Sequence, residues 1–504
     1  MTDTTGAAPR PTEAPEPGRP IVFRNGTVVT MDDAHTVHDK ADVLVVDGRI
    51  AEIGPSLTVP DGTFEIDAAG GIVMPGMIDS HRHMWQTAMR AYGSDWTLTQ
   101  YFVWYYLEHG RAFRPQDYWA GNALSTLDAI ESGITTTVDW SHGLQTIEHA
   151  EAAIDALVSS PGRYVMGFGN IFAGPWEWTA DPAYRRTVEA AIRDPRLAGV
   201  QLAFDVTGDP AFPEKAAFEV ARELDVRVTT HAGVWGATND DGVRLMHEHG
   251  YMEPGTVYVH AATLSQDSYQ RIAATGGIVS LSTESEQSCG QGYPPSHALR
   301  EHDIPVSLSV DTSVWFSADL FSAMRTTLGA DRSWEHLSAH ELGETVTHSR
   351  LRSQHVVEWA TRGGAKAIGR DSELGALEKG RLADVVLLKN DHSPTMFPLV
   401  NVYGHIAMQA SRGDVHTVLV NGDAKKYDGK LVGVDLAPLR AKLEDTVEHL
   451  RSTLGEEQWA AGMNPEIPET KVLDNPYMYT DYRTHATHAA FETQAPTMGE
   501  TARD

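Results

Sequence analysis

The stretch Val-Met-Pro-Gly-Met-Ile-Asp-Ser-His-Arg-His-Met at positions 73–84 constrains the fold of this chain more than any other. An apolar run ending in Pro75-Gly76, then Met77-Ile78, then Asp79 and two histidines one residue apart, reads as a short buried strand that delivers His81 and His83 at its C-terminal end. Side chains two apart on a strand share a face, so both imidazoles can meet one metal ion. Histidine pairs on strand edges are common, however, and a metal site needs further ligands from elsewhere in the chain.

The length of 504 residues allows an α/β barrel and a second domain with tails. A formal net charge of -29 creates a field that repels nucleic acid and anionic lipid, which excludes both as partners and leaves a small-molecule substrate. The one cysteine, Cys289, rules out an intrachain disulfide framework and fits a reducing compartment. No apolar run is long enough to span a bilayer, and the first residues lack the basic and apolar regions of a signal peptide. The expectation is a cytoplasmic protein.

Residues 1–19, rich in Thr, Ala, Pro and Glu, read as a disordered tail. From 20 to 70 come short β-rich runs with turn signals, and a matching set spans 370–435, so a small β-sandwich assembled from both chain ends is expected. Between them, 71–369 alternates apolar strands with helix-length amphipathic segments, the order of a TIM-like (β/α)8 barrel. After the strand at Val73, the other strands are expected at 135–139, 164–168, 199–203, 226–231, 256–260, 278–282 and 306–311. The remainder, 436–504, reads as an amphipathic helix from Leu439 to Leu454 and an extended arm with Pro465, Pro468, Pro476, Tyr477, Tyr479 and Tyr482. Such an arm packs on its own domain or on a neighbouring subunit, and a homo-oligomer is expected.

Active groups in these barrels project from the C-terminal strand ends and the loops after them. Three such ends carry His231, His260 and Asp311. With His81 and His83, His231 and Asp311 make three imidazoles and a carboxylate, a set suited to one divalent ion, Zn²⁺ with Fe²⁺ as the alternative. Room remains for a water whose pKa the cation lowers. His260 sits one strand away, placed to hold that water or a substrate atom. His142 ends the second strand and could touch substrate, Trp85 and Trp235 could wall an aromatic pocket, and Gly290-Gln-Gly292 reads as an active-site turn.

The Pro-Gly-x-x-Asp-x-His-x-His pattern, the run Ala360 to Gly369 and the following Gly375 to Asp384 resemble the metal-dependent amidohydrolase superfamily, from about Ile21 to about Gly433. Within it, Arg90, Trp96-Thr-Leu-Thr-Gln-Tyr-Phe and Gly133-Ile-Thr-Thr-Thr-Val-Asp139 are most similar to the branch of atrazine chlorohydrolase, guanine deaminase and adenosine-type deaminases. The resemblance implies one catalytic metal on His81, His83, His231 and Asp311. Two departures bear on mechanism. The fourth strand, Gly199-Val-Gln-Leu-Ala-Phe-Asp205, lacks the lysine that bridges two metals in dinuclear relatives. Val234 stands where deaminases of the branch carry a proton-shuttling glutamate, and Leu281-Ser-Thr283, then Glu284-Ser-Glu286, replaces a usual His-Cys-Pro. Proton transfer is therefore expected of Asp311, His260 and Glu284, with Glu284 in a loop above the barrel mouth and Glu286 as its rival or a substrate contact. The expected activity is hydrolysis of a non-peptide carbon–nitrogen bond in a small cyclic or aromatic compound. The alternatives are hydrolytic dehalogenation of a heterocycle and a non-catalytic barrel that keeps the fold.

Overall fold

The structure is a computed structural model and describes residues 13–169, 178–234 and 240–468. Its two sheets part at one residue, Gly76. The strands β1 (Ile21–Val29), β2 (Val37–Val46), β3 (Arg49–Gly54), β4 (Phe64–Asp67) and β5 (Ile72–Pro75) belong to a small sheet. Immediately after it, β6 (Met77–Arg82) enters the barrel. The apolar run around Val73 is thus two strands rather than the single one expected, and Ile72–Pro75 leaves the barrel for the small domain. Pro75 offers no amide proton, and a Cβ on Gly76 would lie 2.3 Å from Thr135 Oγ1, so the chain can cross between sheets here only with glycine.

The barrel continues through β7 (Ile134–Ser141), β8 (Arg163–Phe168), β9 (Gly199–Ala203), β10 (Arg227–Ala232), β11 (Val257–His260), β12 (Ile278–Leu281) and β13 (Val306–Leu308). These eight strands pair in sequence order, all parallel, as the alternating pattern predicts. The last expected strand stops short of Asp311, which turns into the left-handed region at φ 61°. The first and last strands meet there through a bridge between Arg82 and Asp311. Five serine hydroxyls fill part of the interior below this seam: Ser80 lies 2.8 Å from Ser280 and 2.7 Å from Ser307, and Ser309 lies 2.8 Å from Ser280 and 2.7 Å from Ser282. Each hydroxyl supplies a partner to the next, which satisfies polar groups that the barrel removes from water.

The small sheet is completed by β14 (Val385–Leu388), β15 (Val415–Val420), β16 (Asp423–Tyr427) and β17 (Lys430–Leu431), so both chain ends contribute to its nine strands. Alternation assigns its two faces. Val73, Val385 and Leu387 join Ile21, Phe23, Val43 and Phe64 in the sheet's own core, while Ile72, Met74, Val386 and Leu388 join the core of the barrel side. Burial on both faces explains why these strands read as unbroken apolar runs.

The terminal segments are tied down more than their composition predicts. Residues 1–12 of the expected disordered tail lie outside the described residues, but within 13–19 Pro15 is buried, Gly18 N–H donates to Asp423 Oδ1 at 2.9 Å and Arg19 Nε donates to the Gly62 carbonyl at 2.7 Å. At the other end the helix Leu436–Leu454 forms as expected and Glu456–Ala461 follows it. The arm beyond residue 468, with Pro476, Tyr477, Tyr479 and Tyr482, lies outside the described residues. Up to that point it docks on its own chain: Tyr92 Oη donates to the Trp459 carbonyl (2.6 Å), Trp96 Nε1 to the Gly462 carbonyl (2.8 Å) and Gln100 Nε2 to Asn464 Oδ1 (2.8 Å).

The helix Pro115–Glu131 presses on the turn after β6 through Gly121, where an added Cβ would fall 2.1 Å from the Trp85 carbonyl oxygen. Backbone cannot rotate away as a side chain can, so Gly121→Ala should cost about 1–3 kcal/mol of overpacking. The check is a thermal melt, in which the variant unfolds several degrees lower. An unchanged melting temperature would show that this helix does not bear on the turn.

Candidate metal centre

The strand ends of β6, β10, β11 and the turn after β13 bring their polar side chains to one point. His81 and His83 are fully buried, with ring centroids 4.7 Å apart, and His231 lies 5.0 Å from His81. A ring nitrogen from each of these three histidines falls within 4.8 Å of the others, and the same holds for the set His81, His260 and Asp311. Asp311 Oδ1 is 3.3 Å from His81 Nε2 and 3.4 Å from His83 Nε2. Ligand atoms around one tetrahedral zinc, at bonds of about 2.0–2.1 Å, stand about 3.3–3.4 Å apart. The nitrogen-to-oxygen spacings match that value.

For His83, His231 and Asp311 the remaining atoms are held by fixed partners. His83 Nδ1 donates to the Trp140 carbonyl (2.8 Å) and His231 Nδ1 to Asp205 Oδ1 (2.8 Å), which leaves each Nε2 with a lone pair for a metal. Asp205 Oδ1 also accepts the backbone N–H of His231. Asp311 Oδ2 accepts from Ser285 Oγ. Burial pushes the His83 pKa down to about 4 and that of His81 well below the ordinary histidine value, so both are neutral imidazoles, the form that ligates. For Asp311, burial works to raise the pKa, but the facing His81 and the neighbouring histidines outweigh it and hold the carboxyl below its usual range. His231 balances burial, which lowers its pKa, against Asp205, and Asp205 prevails. The donor set therefore fits a divalent cation.

The other expected site residues fall at varied distances from this point. His260, at φ 69°, stacks parallel to His231 (5.6 Å, 11°) and turns Nδ1 to Glu286 Oε1 at 3.3 Å. Glu286, fully buried, also accepts the Ser282 N–H at 2.8 Å, so it lies behind His260 rather than in the cleft. Glu284 is not in a loop: it occupies the first turn of the helix Thr283–Cys289, and its carboxyl accepts from Ser322 Oγ, away from the cluster. Residues two apart on a helix diverge by roughly 200°, so these two glutamates cannot both face the barrel axis. Burial raises the Glu284 pKa to about 7 at that remote place. His142 stacks on His83 at 3.7 Å and lines the cleft. Trp85 is one layer further out, stacked on Tyr118 at 4.9 Å, and reaches the site through its indole N–H, which donates to His142 Nδ1. Trp235 lies outside the described residues. Arg90 pairs at the surface with Asp128 at 3.3 Å.

A cleft opens over the cluster, with His83, His231 and Asp311 at its floor and Leu98, Tyr101, Phe102, Thr207, Val234 and Gln291 among its walls. Asp205, Tyr101 and Phe102 were not singled out from the sequence. Asp205 could have been, since it follows the end of β9 by two residues much as Asp311 follows β13; Tyr101 sits in an aromatic run that reads as core.

Comparison with known proteins agrees with the geometry. The family model described as "Amidohydrolase family" matches residues 72–425, and the chain belongs to the amidohydrolase family. Among relatives, a 5-methylthioadenosine/S-adenosylhomocysteine deaminase of Symbiobacterium thermophilum is 28% identical over 455 residues, covering 85% of this chain and 99% of its own. A 5'-deoxyadenosine deaminase of Methanosarcina mazei is 25% identical over 447 residues, covering 85% and 98%. Two solved structures share the fold, each with a TM-score of 0.72: zinc-complexed atrazine chlorohydrolase from Arthrobacter aurescens TC1 (21% identity, 85% of this chain and 100% of that one) and zinc-bound adenosine deaminase from Xanthomonas campestris (20% identity, 86% and 98%).

Partners that orient a ligating histidine usually matter 10–100-fold for metal affinity, so Asp205→Asn should weaken binding by roughly that factor while the fold persists. Competition with a chelator of known affinity reads this directly, and wild-type affinity in the variant would remove Asp205 from the site.

Proposed function

We propose that His81, His83, His231 and Asp311 hold one divalent metal ion and that the chain uses it to hydrolyse a carbon–nitrogen bond in a small cyclic or aromatic compound. As a member of the amidohydrolase family, the chain is a hydrolase of non-peptide carbon–nitrogen bonds. The observation that carries the reading is the 3.3 and 3.4 Å spacing of Asp311 from two neutral imidazoles that share its burial. Zinc is the ion proposed, with iron as the alternative, and its presence in the two solved structures supports that choice. A single ion is supported by β9, which runs into Phe204 and Asp205 with no lysine, and Asp205 is committed to His231.

When bound, such an ion supplies Lewis-acid activation of water. The chain's residues then handle protons and charge. Asp311, kept ionised by its histidines and prevented from turning by Ser285, accepts a proton from the attacking water and returns it to the leaving nitrogen. His260, anchored by Glu286, has a ring nitrogen within 4.8 Å of Asp311 and steadies the developing negative charge. Glu284 takes no part in this reading, because its carboxyl is engaged by Ser322. Val234 lines the cleft, so no acid stands at that position.

Dehalogenation is not favoured: the relatives matched over 85% of the chain are named as deaminases, and the chlorohydrolase likeness carries the fold. A non-catalytic barrel would not retain the complete donor set. Among the described residues no helix is long and apolar enough to cross a membrane. We further propose a cytoplasmic homo-oligomer, supported by the unpaired, buried Cys289 and by the exposed apolar Phe397 and Val400 on one loop.

Purified protein should carry about one tightly held transition metal by elemental mass spectrometry. His81→Ala should lose metal and turnover together on a panel of heterocyclic amines and lactams. A value near two, with activity tracking the second ion, would overturn the mononuclear assignment.

The two glutamates separate by mutation. Glu286→Gln should lower turnover roughly 10- to 100-fold through His260, while Glu284→Gln stays close to wild type with metal intact. The reverse order would return the acid role to Glu284.

A further inference from the structure

One wall of the cleft is gripped from outside by residues near the far end of the chain. Leu98, Tyr101 and Phe102 belong to that wall. They lie where the chain enters the π-helix Gln100–His109, and helices of this kind are rare and mostly confined to a single turn. A longer one needs support from beyond its own backbone bonds.

The support comes from residues 445–465, all past residue 425, where the family match stops. At the start of the wall, Gln100 Nε2 donates to Asn464 Oδ1 at 2.8 Å and to the Pro465 carbonyl at 2.9 Å. Trp96 Nε1 donates to the Gly462 carbonyl at 2.8 Å. In the middle, Trp104 closes on Gly462: a Cβ there would lie 2.1 Å from the Trp104 ring and 2.3 Å from Tyr92 Oη. Tyr92 packs on Trp459 with ring centroids 4.8 Å apart and donates to its carbonyl. Just past the end, His449 Nε2 donates to the Ala112 carbonyl at 2.9 Å and Arg114 Nη2 to Asp445 Oδ2 at 2.8 Å. In a helix closed by i→i+5 bonds, residues four apart nearly overlie, so Gln100 and Trp104 share the gripped side while Tyr101 and Phe102 turn to the cleft. Gly462 has ordinary helical angles, φ -64° and ψ -16°, so its backbone does not ask for glycine; the closeness of Trp104 and Tyr92 does.

We infer that residues 455–465 act as a strap whose grip on Trp96, Gln100 and Trp104 sets the position of the cleft wall and, through Tyr101 and Phe102, the affinity for substrate. Gln100 and Gly462 are positioning residues, which act on the cleft only through their neighbours. The effect on affinity rests on the reading of the cleft as a hydrolase's substrate site; the grip itself does not.

Two variants loosen the strap from different points. Gln100→Glu keeps the oxygen that accepts the Thr97 N–H and loses both donations to the strap. Gly462→Ala drives a methyl group against Trp104 and Tyr92, and Gln100→Glu, at a partly exposed position, carries the test alone if that variant fails to fold. Hydrogen–deuterium exchange of the metal-loaded full chain, read by mass spectrometry, should show the amides of 100–109 exchanging roughly 10-fold faster, with the barrel strands unchanged. Competition with a chelator should return wild-type metal affinity. On the best substrate from the panel of heterocyclic amines and lactams, KM should rise roughly 10-fold while kcat stays within about 2-fold. Wild-type exchange over 100–109 in the folded variants would overturn the strap. Faster exchange with KM unchanged would overturn its bearing on affinity, and a fall in kcat together with metal loss would reduce it to a structural role. If wild type turns over nothing on the panel, the hydrolase reading fails, and the exchange result still decides for or against the strap.

Discussion

The barrel closes on the same backbone that carries the site. Asp311 N–H donates to the His81 carbonyl (3.1 Å) and His83 N–H donates to the Asp311 carbonyl (2.7 Å), so the seam between first and last strands is stitched by three of the four proposed ligands. Their side chains then face one another without freedom to spread, since strand pairing fixes each Cα. Few residues other than glycine enter the left-handed region, aspartate among those that do, and at φ 61° Asp311 makes both of these bonds. Closure of the fold and spacing of the donors are one constraint, and the serine hydroxyls beneath the seam pair with one another in the interior.

The small sheet and the C-terminal segment act on the site from outside. Gly76 releases the chain from β5 into β6 five residues before His81, so the position of the first ligand is set by two sheets rather than one. The segment after the helix Leu436–Leu454 fastens Tyr92, Trp96 and Gln100, and the next residue in sequence is Tyr101 at the cleft wall. A contact far along the chain thereby fixes an aromatic group above the cluster, which short-range sequence patterns do not express.

Those differences explain what could be read beforehand. Strand order, the barrel and the donor set follow from apolar periodicity and from polar residues at strand ends, because parallel strands buried on both faces leave a plain signature. The break at Gly76 is hidden by the same property: β5 and the start of β6 are both buried apolar sequence, and only sheet membership tells them apart. Glu284 and Glu286 are indistinguishable in a loop, whereas a helix sends them to opposite sides. Tyr101 reads as core because its ring is core, and only the fold sets it at the cleft wall.

One pattern runs through the cluster and accounts for its rigidity. His83, His231 and His260 each give Nδ1 to a fixed partner, the Trp140 carbonyl, Asp205 and Glu286, and each keeps Nε2 for the centre. The partners come from β7, the turn after β9 and the helix Thr283–Cys289, so no single loop movement can release them together. His81 departs from this: its Nδ1 is buried with no partner among the described residues, and its orientation comes instead from Asp311 and from the rings of His83, His231 and His260 around it. A buried polar atom without a partner costs about 1–3 kcal/mol. Its position is therefore the one that neighbouring imidazoles must hold by packing, and the crowding of four histidines around Asp311 is what makes that possible.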